Sequence, residues 1–337
     1  MPEYEKSDAR AWARESMRGV IDVIIPSFKK DLTDINEAGI RHDVRRNIEL
    51  GFAGALLVSE VNITLSEYAR FVEIAAHEAD RRQILVYHAM FNTLEENIEG
   101  ARLASAAGAS AALLPYPPGF RPRAEEDVRR YTAAFCDATD LAVILFPLPF
   151  WDFERFSPAS MSMDLIERLM TDHPNVAVVK AEGGYPSIAG FAQVWRRFAD
   201  EVVVTMPLEF EAIPLMNLVP MQLIATSNTE YFGDRVPRAV KLASEGSLDA
   251  AMDLYWSMGP ARAANAGVAP GGGTNVVNRA AWKYQAWLSG YNGGPLRIPT
   301  GRLLDKQMAA FRKALVDSGI EVTGDGDEAF LEGRMPA

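Results

Sequence analysis

Short apolar runs alternate with longer amphipathic segments eight times between residues 19 and 246, and this alternation restricts the fold more than any other feature. The runs are Val20 to Pro26, Ala55 to Ser59, Ile84 to Tyr87, Ala111 to Leu114, Leu141 to Phe146, Val176 to Lys180, Val202 to Thr205 and Gln222 to Thr226. Most are apolar at successive positions, the pattern of strands buried on both faces in a parallel sheet. The segments between them carry helical spacing, as in Leu65, Tyr68, Val72, Ala75 and Ala79. Thr64-Leu-Ser-Glu67 reads as a capping box, Asn92 with Glu95 opens the next helix, and Gly51 ends a helix over Arg41 to Leu50. Further helices are expected over Glu125 to Ala138, Met163 to Thr171, Ile188 to Phe198, Glu211 to Leu218 (interrupted by Pro214) and Pro237 to Ser244. Pro147 and Pro149 forbid continuation of the fifth run as a central strand. Strands alternating with helices imply a parallel sheet, and eight units imply closure into a (β/α)8 TIM barrel. A doubly wound open sheet is the alternative. Its glycine-rich phosphate fingerprint is missing, since Gly271-Gly-Gly273 precedes no strand–helix unit.

The barrel is expected over residues 19–246. A polar segment, 1–18, precedes it and could form a short helix. A helical region, 247–320, follows, with helices over Leu248 to Ala264, Asn278 to Leu288 and Leu303 to Ser318. In residues 321–337, Gly, Asp and Glu dominate, so a poorly ordered tail is expected.

Composition narrows the partners. Among 337 residues, 34 basic against 45 acidic side chains give a net charge of −11. That disfavours nucleic acid and anionic membrane, which need a basic footprint. No apolar run approaches the roughly 20 residues that span a bilayer. Met1 to Arg18 is charged and lacks an apolar stretch, so no secretory signal is expected and the cytoplasm is the default compartment. Cys136 is the single cysteine, which excludes an internal disulfide, and the four histidines show no ligand spacing. No metal and no cofactor are expected.

The chemistry concentrates at Asn175-Val-Ala-Val-Val-Lys-Ala-Glu-Gly-Gly184. A lysine at the C-terminal end of a buried parallel strand costs desolvation free energy unless something uses or pairs it. Burial lowers its pKa, as a lysine nucleophile requires, and the C-terminal strand ends are where barrels place their chemistry. Lys180 therefore reads as a Schiff-base lysine, or else as a lysine that snorkels from the mouth or pairs with Glu182. His88, ending the third strand, could be an acid/base or a satisfied buried histidine. Glu182 could be a base, an ion-pair partner or a solvated charge. Glu60 could be a base or a cap of the next helix. Phe146, Phe150, Trp151 and Phe153 suit a core, or an unusually apolar and aromatic site.

These landmarks, taken in order, resemble the dihydrodipicolinate synthase / N-acetylneuraminate lyase family of class I aldolases. Asn62-Ile-Thr-Leu-Ser66 follows strand two, Pro115-Tyr116-Pro117 strand four and Phe146-Pro-Leu-Pro149 strand five. Val178-Val179-Lys180 ends strand six, and Gly293-Gly-Pro-Leu-Arg-Ile-Pro299 matches a stretch of the C-terminal region. The resemblance implies Lys180 as Schiff-base lysine. It also implies a homotetramer built as a dimer of dimers, with Tyr116 either reaching the site or near a subunit contact. The departures are as informative. The family's paired hydroxyls, which face the substrate carboxylate, read Val58 and Ser59 here, followed by Glu60. Its relay tyrosine is Phe146, and an arginine that some members use is replaced by Trp151. The expected activity is a Schiff-base lyase or synthase acting on a small carbonyl or 2-oxo acid, with an apolar or aromatic part. Catalysis falls to Lys180, His88 and Glu182, and substrate contact to Ser59, Glu60, Tyr116, Phe146 and Trp151. A non-catalytic carbonyl-ligand-binding barrel, and a hydratase or decarboxylase using the lysine only as acid/base, are the other readings.

Overall fold

The structure, a computed structural model, describes residues 2–182, 187–267 and 277–335. The glycines 183–184 and 271–273 singled out in the sequence lie outside them. Eight strands run in chain order with helices between them: β1 (Gly19–Ile24), β2 (Gly54–Leu57), β3 (Ile84–His88), β4 (Ala111–Leu114), β5 (Ala142–Leu145), β6 (Val176–Lys180), β7 (Val203–Thr205) and β8 (Leu223–Ala225). All ladders are parallel, in the order β7-β6-β5-β4-β3-β2-β1-β8. The sheet is a nearly closed TIM barrel.

The helices are α1 (Ala9–Ser16), α2 (Glu37–Glu49), α3 (Leu65–Ala79), α4 (Leu94–Ala107), α5 (Glu125–Asp137), α6 (Met163–Asp172), α7 (Ser187–Phe198), α8 (Glu209–Leu215) and α9 (Arg235–Ser244). After the barrel come α10 (Leu248–Ser257), α11 (Gly259–Gly267), α12 (Arg279–Leu288) and α13 (Asp305–Asp317). Thr64 and Glu67 form the expected capping box. The next helix is capped by Thr93 with Glu96, one residue later than Asn92 and Glu95. The helix expected over Arg41 to Leu50 begins earlier, because Asn36 accepts from Gly39 N–H and caps it. The single helix expected over Leu248 to Ala264 is two, α10 and α11. No helix of the described residues is long and apolar enough to cross a membrane.

Gly54 and Gly293 are among the positions that demand glycine. A Cβ on Gly54 would lie 2.3 Å from the Ile84 carbonyl oxygen, where β2 meets β3. Gly293 has φ +77°, and a Cβ there would meet Trp287 at 2.7 Å.

The ends of the chain do more than the sequence suggests. The amino-terminal segment closes the bottom of the barrel. Ala9, Ala13 and Met17 of it are buried, Arg10 Nε donates to the Val176 carbonyl (3.0 Å), and Gln222 Nε2 donates to the Met17 carbonyl (2.8 Å). The tail is packed rather than poorly ordered as far as residue 335. Phe330 is buried against Tyr284 and Trp287. Gly294 N–H donates to its carbonyl (2.7 Å), and Asp327 holds Tyr284 (2.7 Å) and Arg312 (2.6 Å). One phenylalanine and one carboxylate thus anchor a segment whose composition is polar. Of the tryptophans in the helical region, Trp287 is buried and Trp256 is 68% exposed.

Closure between β7 and β8 relies on side-chain bonds, those of Thr205 and a Met206 N–H to Met221 Sδ contact (3.3 Å). Thr205 Oγ1 donates to the Leu223 carbonyl (2.8 Å) and accepts from Ala225 N–H (3.1 Å). It bridges strands that share no ladder among the described residues. Thr205→Val keeps the shape and strands one buried donor and one buried acceptor, each worth about 1–3 kcal/mol. We expect urea denaturation to show a loss of roughly 2 kcal/mol or more. An unchanged unfolding midpoint would mean that the seam closes by other means.

Candidate active site

The strand ends converge on a cavity of about 440 Å³ at the C-terminal mouth of the barrel. Val23, Leu56, His88, Leu113, Phe146, Lys180 and Thr226 are contributed by the barrel strands or the residues just after them. Because side chains alternate along a strand, Lys180 faces the interior with Val178. Its ammonium is buried. Nζ donates to the Thr226 carbonyl (2.9 Å), lies 3.6 Å from Glu182 Oε2, and sits 3.6 Å from the centroid of the Phe146 ring.

Electrostatics at this lysine oppose one another. Burial lowers its pKa most, the Glu182 carboxylate raises it and the Arg279 charge lowers it, and together they bring it down to about 8. Burial raises the Glu182 carboxyl, against the attraction of Lys180. His88 is held well below its ordinary value by burial first, then by the charges of Arg279 and Lys180, so its ring is neutral. Ser59 N–H donates to His88 Nδ1 (3.3 Å). That nitrogen therefore carries the lone pair, and the proton belongs to Nε2.

The remaining sequence candidates divide. Phe146 and Glu60 line the cavity. The Glu60 carboxylate is spent on Arg279, whose Nε and Nη2 both reach its Oε1 at 2.7 Å. Ser59 does not line the cavity; its hydroxyl donates to the His88 carbonyl (2.9 Å) and orients that histidine. Tyr116 lies behind the wall. Its backbone is left-handed (φ 63°), its hydroxyl pairs with Thr132 Oγ1 (2.7 Å), and its ring packs on Phe120 and Phe153. Trp151 also points away, because its indole N–H donates to the Pro115 and Tyr116 carbonyls (3.1 and 3.0 Å) and staples two loops together. Phe150 takes the aromatic place at the mouth, 53% exposed.

Sequence reasoning missed the far wall. Arg279 opens α12 behind its N-cap Asn278, and its guanidinium lies 4.4 Å over the Trp282 ring. Arg262 of α11 pairs with Glu209 (2.7 Å) at the same cavity. Thr226 and Asn228 come from the loop after β8. Asp22, on the outward face of β1, holds that loop by accepting from Thr229 N–H (2.8 Å). The Asn278 cap was a readable signal for the start of α12. That this start overhangs the barrel mouth is a tertiary fact with no local signature. Among the described residues no three His, Cys, Asp or Glu side chains are grouped to hold a metal.

Comparison with known proteins agrees with this geometry. The family model described as "Dihydrodipicolinate synthetase family" matches residues 16–256. A 4-hydroxy-tetrahydrodipicolinate synthase of Methanothrix thermoacetophila is 26% identical over 317 residues, covering 91% of this chain and 99% of that one. An L-threo-3-deoxy-hexylosonate aldolase of Hypocrea jecorina is 26% identical over 171 residues, covering 48% of this chain and 53% of the relative. The crystal structure of N-acetylneuraminate lyase from Fusobacterium nucleatum superposes with a TM-score of 0.72 at 18% identity, over 89% of this chain and 98% of that one. The chain thus belongs to the dihydrodipicolinate synthetase family, and it is an aldolase-type lyase or synthase of the Schiff-base kind whose substrate these relatives do not specify.

Proposed function

We propose that Lys180 is the Schiff-base nucleophile and that Glu182, with Phe146 in the relay tyrosine's place, moves the protons. The observation that carries this reading is the buried amine with a lowered pKa, 3.6 Å from a carboxyl whose pKa is raised. With a pKa of about 8, on the order of a tenth of the lysine is free amine at neutral pH. The free amine adds to a substrate carbonyl carbon. Glu182 carries one proton from the nitrogen to the alkoxide oxygen, giving a neutral carbinolamine; reprotonated from solvent, it gives a second proton to the hydroxyl, which leaves as water while the nitrogen lone pair closes the protonated imine. The imine accepts the electron pair of the adjacent bond as that bond breaks, or releases it from the enamine as a bond forms. The Phe146 face stabilises positive charge on the nitrogen and donates no proton. Neutral His88 offers its Nε2–H to a substrate oxygen. Glu182 therefore ranks ahead of His88 as the shuttle.

The substrate we infer is a small carbonyl compound, a pyruvate-type 2-oxo acid foremost. The apolar mouth formed by Leu148, Phe150, Leu208 and Phe210 suits an apolar or aromatic part. We further propose a cytoplasmic homotetramer, a dimer of dimers. Trp256, 68% exposed, and Leu218, 79% exposed, offer surface for subunit contact.

Borohydride reduction with a panel of 2-oxo acids, read by intact mass, tests the nucleophile. We expect a covalent adduct in the wild type and none in Lys180→Ala. An adduct retained by Lys180→Ala would end the assignment. Glu182→Gln should keep the trappable lysine and lose about 10²–10⁴-fold in kcat; full activity in Glu182→Gln would move the shuttle elsewhere. Ser59→Ala separates support from substrate contact. It should cost about 1 kcal/mol of stability through the lost hydroxyl bond and leave KM unchanged; a raised KM with unaltered stability would return Ser59 to the substrate site. Static light scattering at micromolar concentration should give the tetramer mass, and a monomer would contradict the assembly.

A further inference from the structure

Four residues that line the cavity carry a buried polar atom without a hydrogen-bond partner among the described residues: Thr226 Oγ1, Asn228 Nδ2, Arg262 Nη2 and Arg279 Nη1. Such atoms are uncommon in folded proteins, because each leaves a desolvation cost uncompensated. Three of the four are donors only, and Arg262 is the less buried of the two arginines. Arg279 is the most constrained: 95% buried by its 5% exposure, it gives Nε and Nη2 to a single oxygen of Glu60 and rests on the Trp282 ring. The guanidinium is fixed on two edges and against one face, and its third nitrogen is left unspent. A group that is rigid, cationic and short of one acceptor is prepared for an anion. The acceptor must enter from the cavity, which also holds the reactive amine of Lys180 and the neutral His88.

We propose that Arg279 is the substrate-carboxylate anchor of this barrel, with Asn228 as a second donor to the same group. The ligand class that follows is a carbonyl compound carrying a carboxylate at the inner end and an apolar or aromatic body toward Phe150 and Phe210. The assignment of the carbonyl end rests on the reading of Lys180 as nucleophile; the anchor itself does not. It also accounts for the loop after β2. Val58 and Ser59 present no hydroxyl to the cavity, since the Ser59 hydroxyl is bound to the His88 carbonyl. The anion-binding duty has passed to a residue of the C-terminal helical region, and Glu60 is the buried partner that holds it there.

The test uses two ligands that cannot form an imine, 3-phenylpropanoate and its neutral isostere 3-phenylpropanamide. Both are titrated calorimetrically into the full-length protein in the Lys180→Met background, so that the lysine charge plays no part. We expect the acid to bind about 10–100-fold more tightly than the amide, the range of a charge-assisted hydrogen bond to a buried partner. Arg279→Gln should abolish that preference and leave amide binding unchanged. Removing the arginine strands Glu60, so the Glu60→Gln/Arg279→Gln double variant, which keeps an amide–amide pair, serves if the single variant fails to fold. Equal binding of acid and amide before the arginine is removed, no binding of the acid, or a preference that survives in the Arg279 variants would overturn the proposal. Failure of borohydride trapping with the acid–amide preference intact would overturn only the Lys180 assignment.

Discussion

The desolvation of one ammonium group organises this molecule. Val178 and Val179 run the chain through the barrel wall with no polar relief, and Lys180 ends the strand with its side chain inside. Holding the charged form there is disfavoured by roughly 3 kcal/mol relative to water, the equivalent of a fall from 10.5 to about 8. The sign follows from the lowered pKa. The fold bears the full cost below about pH 8, where the ammonium must be kept, and the cost fades as the pH rises toward the unfolded value. That cost is what remains after Glu182 offsets part of the burial penalty, and the ammonium also meets the Thr226 carbonyl and the Phe146 face. A barrel is suited to sustain such a site because its strands are short, parallel and bonded on both sides, leaving the charged end nowhere to relax.

The same constraint explains how the departures fit together. Phe146 cannot relay a proton, but its face meets the lysine nitrogen at 3.6 Å and is compatible with a cation throughout the reaction. In the proposed mechanism the relay is a group whose pKa has been moved toward neutrality. Glu182 meets that condition through burial. His88 does not, since burial and two neighbouring cations keep it neutral. Glu60, which read in sequence places an unusual negative charge in the site, is neutralised by Arg279. The two form one ion pair at the cavity wall.

Much of this was legible in the sequence, for a physical reason. Strands buried on both faces read as continuous apolar runs, and capping residues mark helix starts, so the alternation and the position of Lys180 could be read from local pattern alone. Tyr116 and Trp151 were misplaced because an aromatic in a loop has no periodicity to say which way it faces. Their directions are set by Thr132 and by two carbonyls, none of them near in sequence. Arg279 lies 219 positions from Glu60, and no local rule joins them. The tail misled for a related reason: its composition is that of a mobile segment, yet Phe330, Asp327 and hydrogen bonds from Arg334 and Met335 fix it.

The central claim is that burial makes Lys180 a free amine near neutral pH. Its own titration tests this directly, measured as the rate of modification at that residue by a small amine-reactive reagent across pH 6 to 11 and read by peptide mass spectrometry. The account predicts a midpoint near the lowered value of about 8, well below the roughly 10.4 of a free lysine side chain. A Lys180 midpoint at that free-lysine value would contradict it.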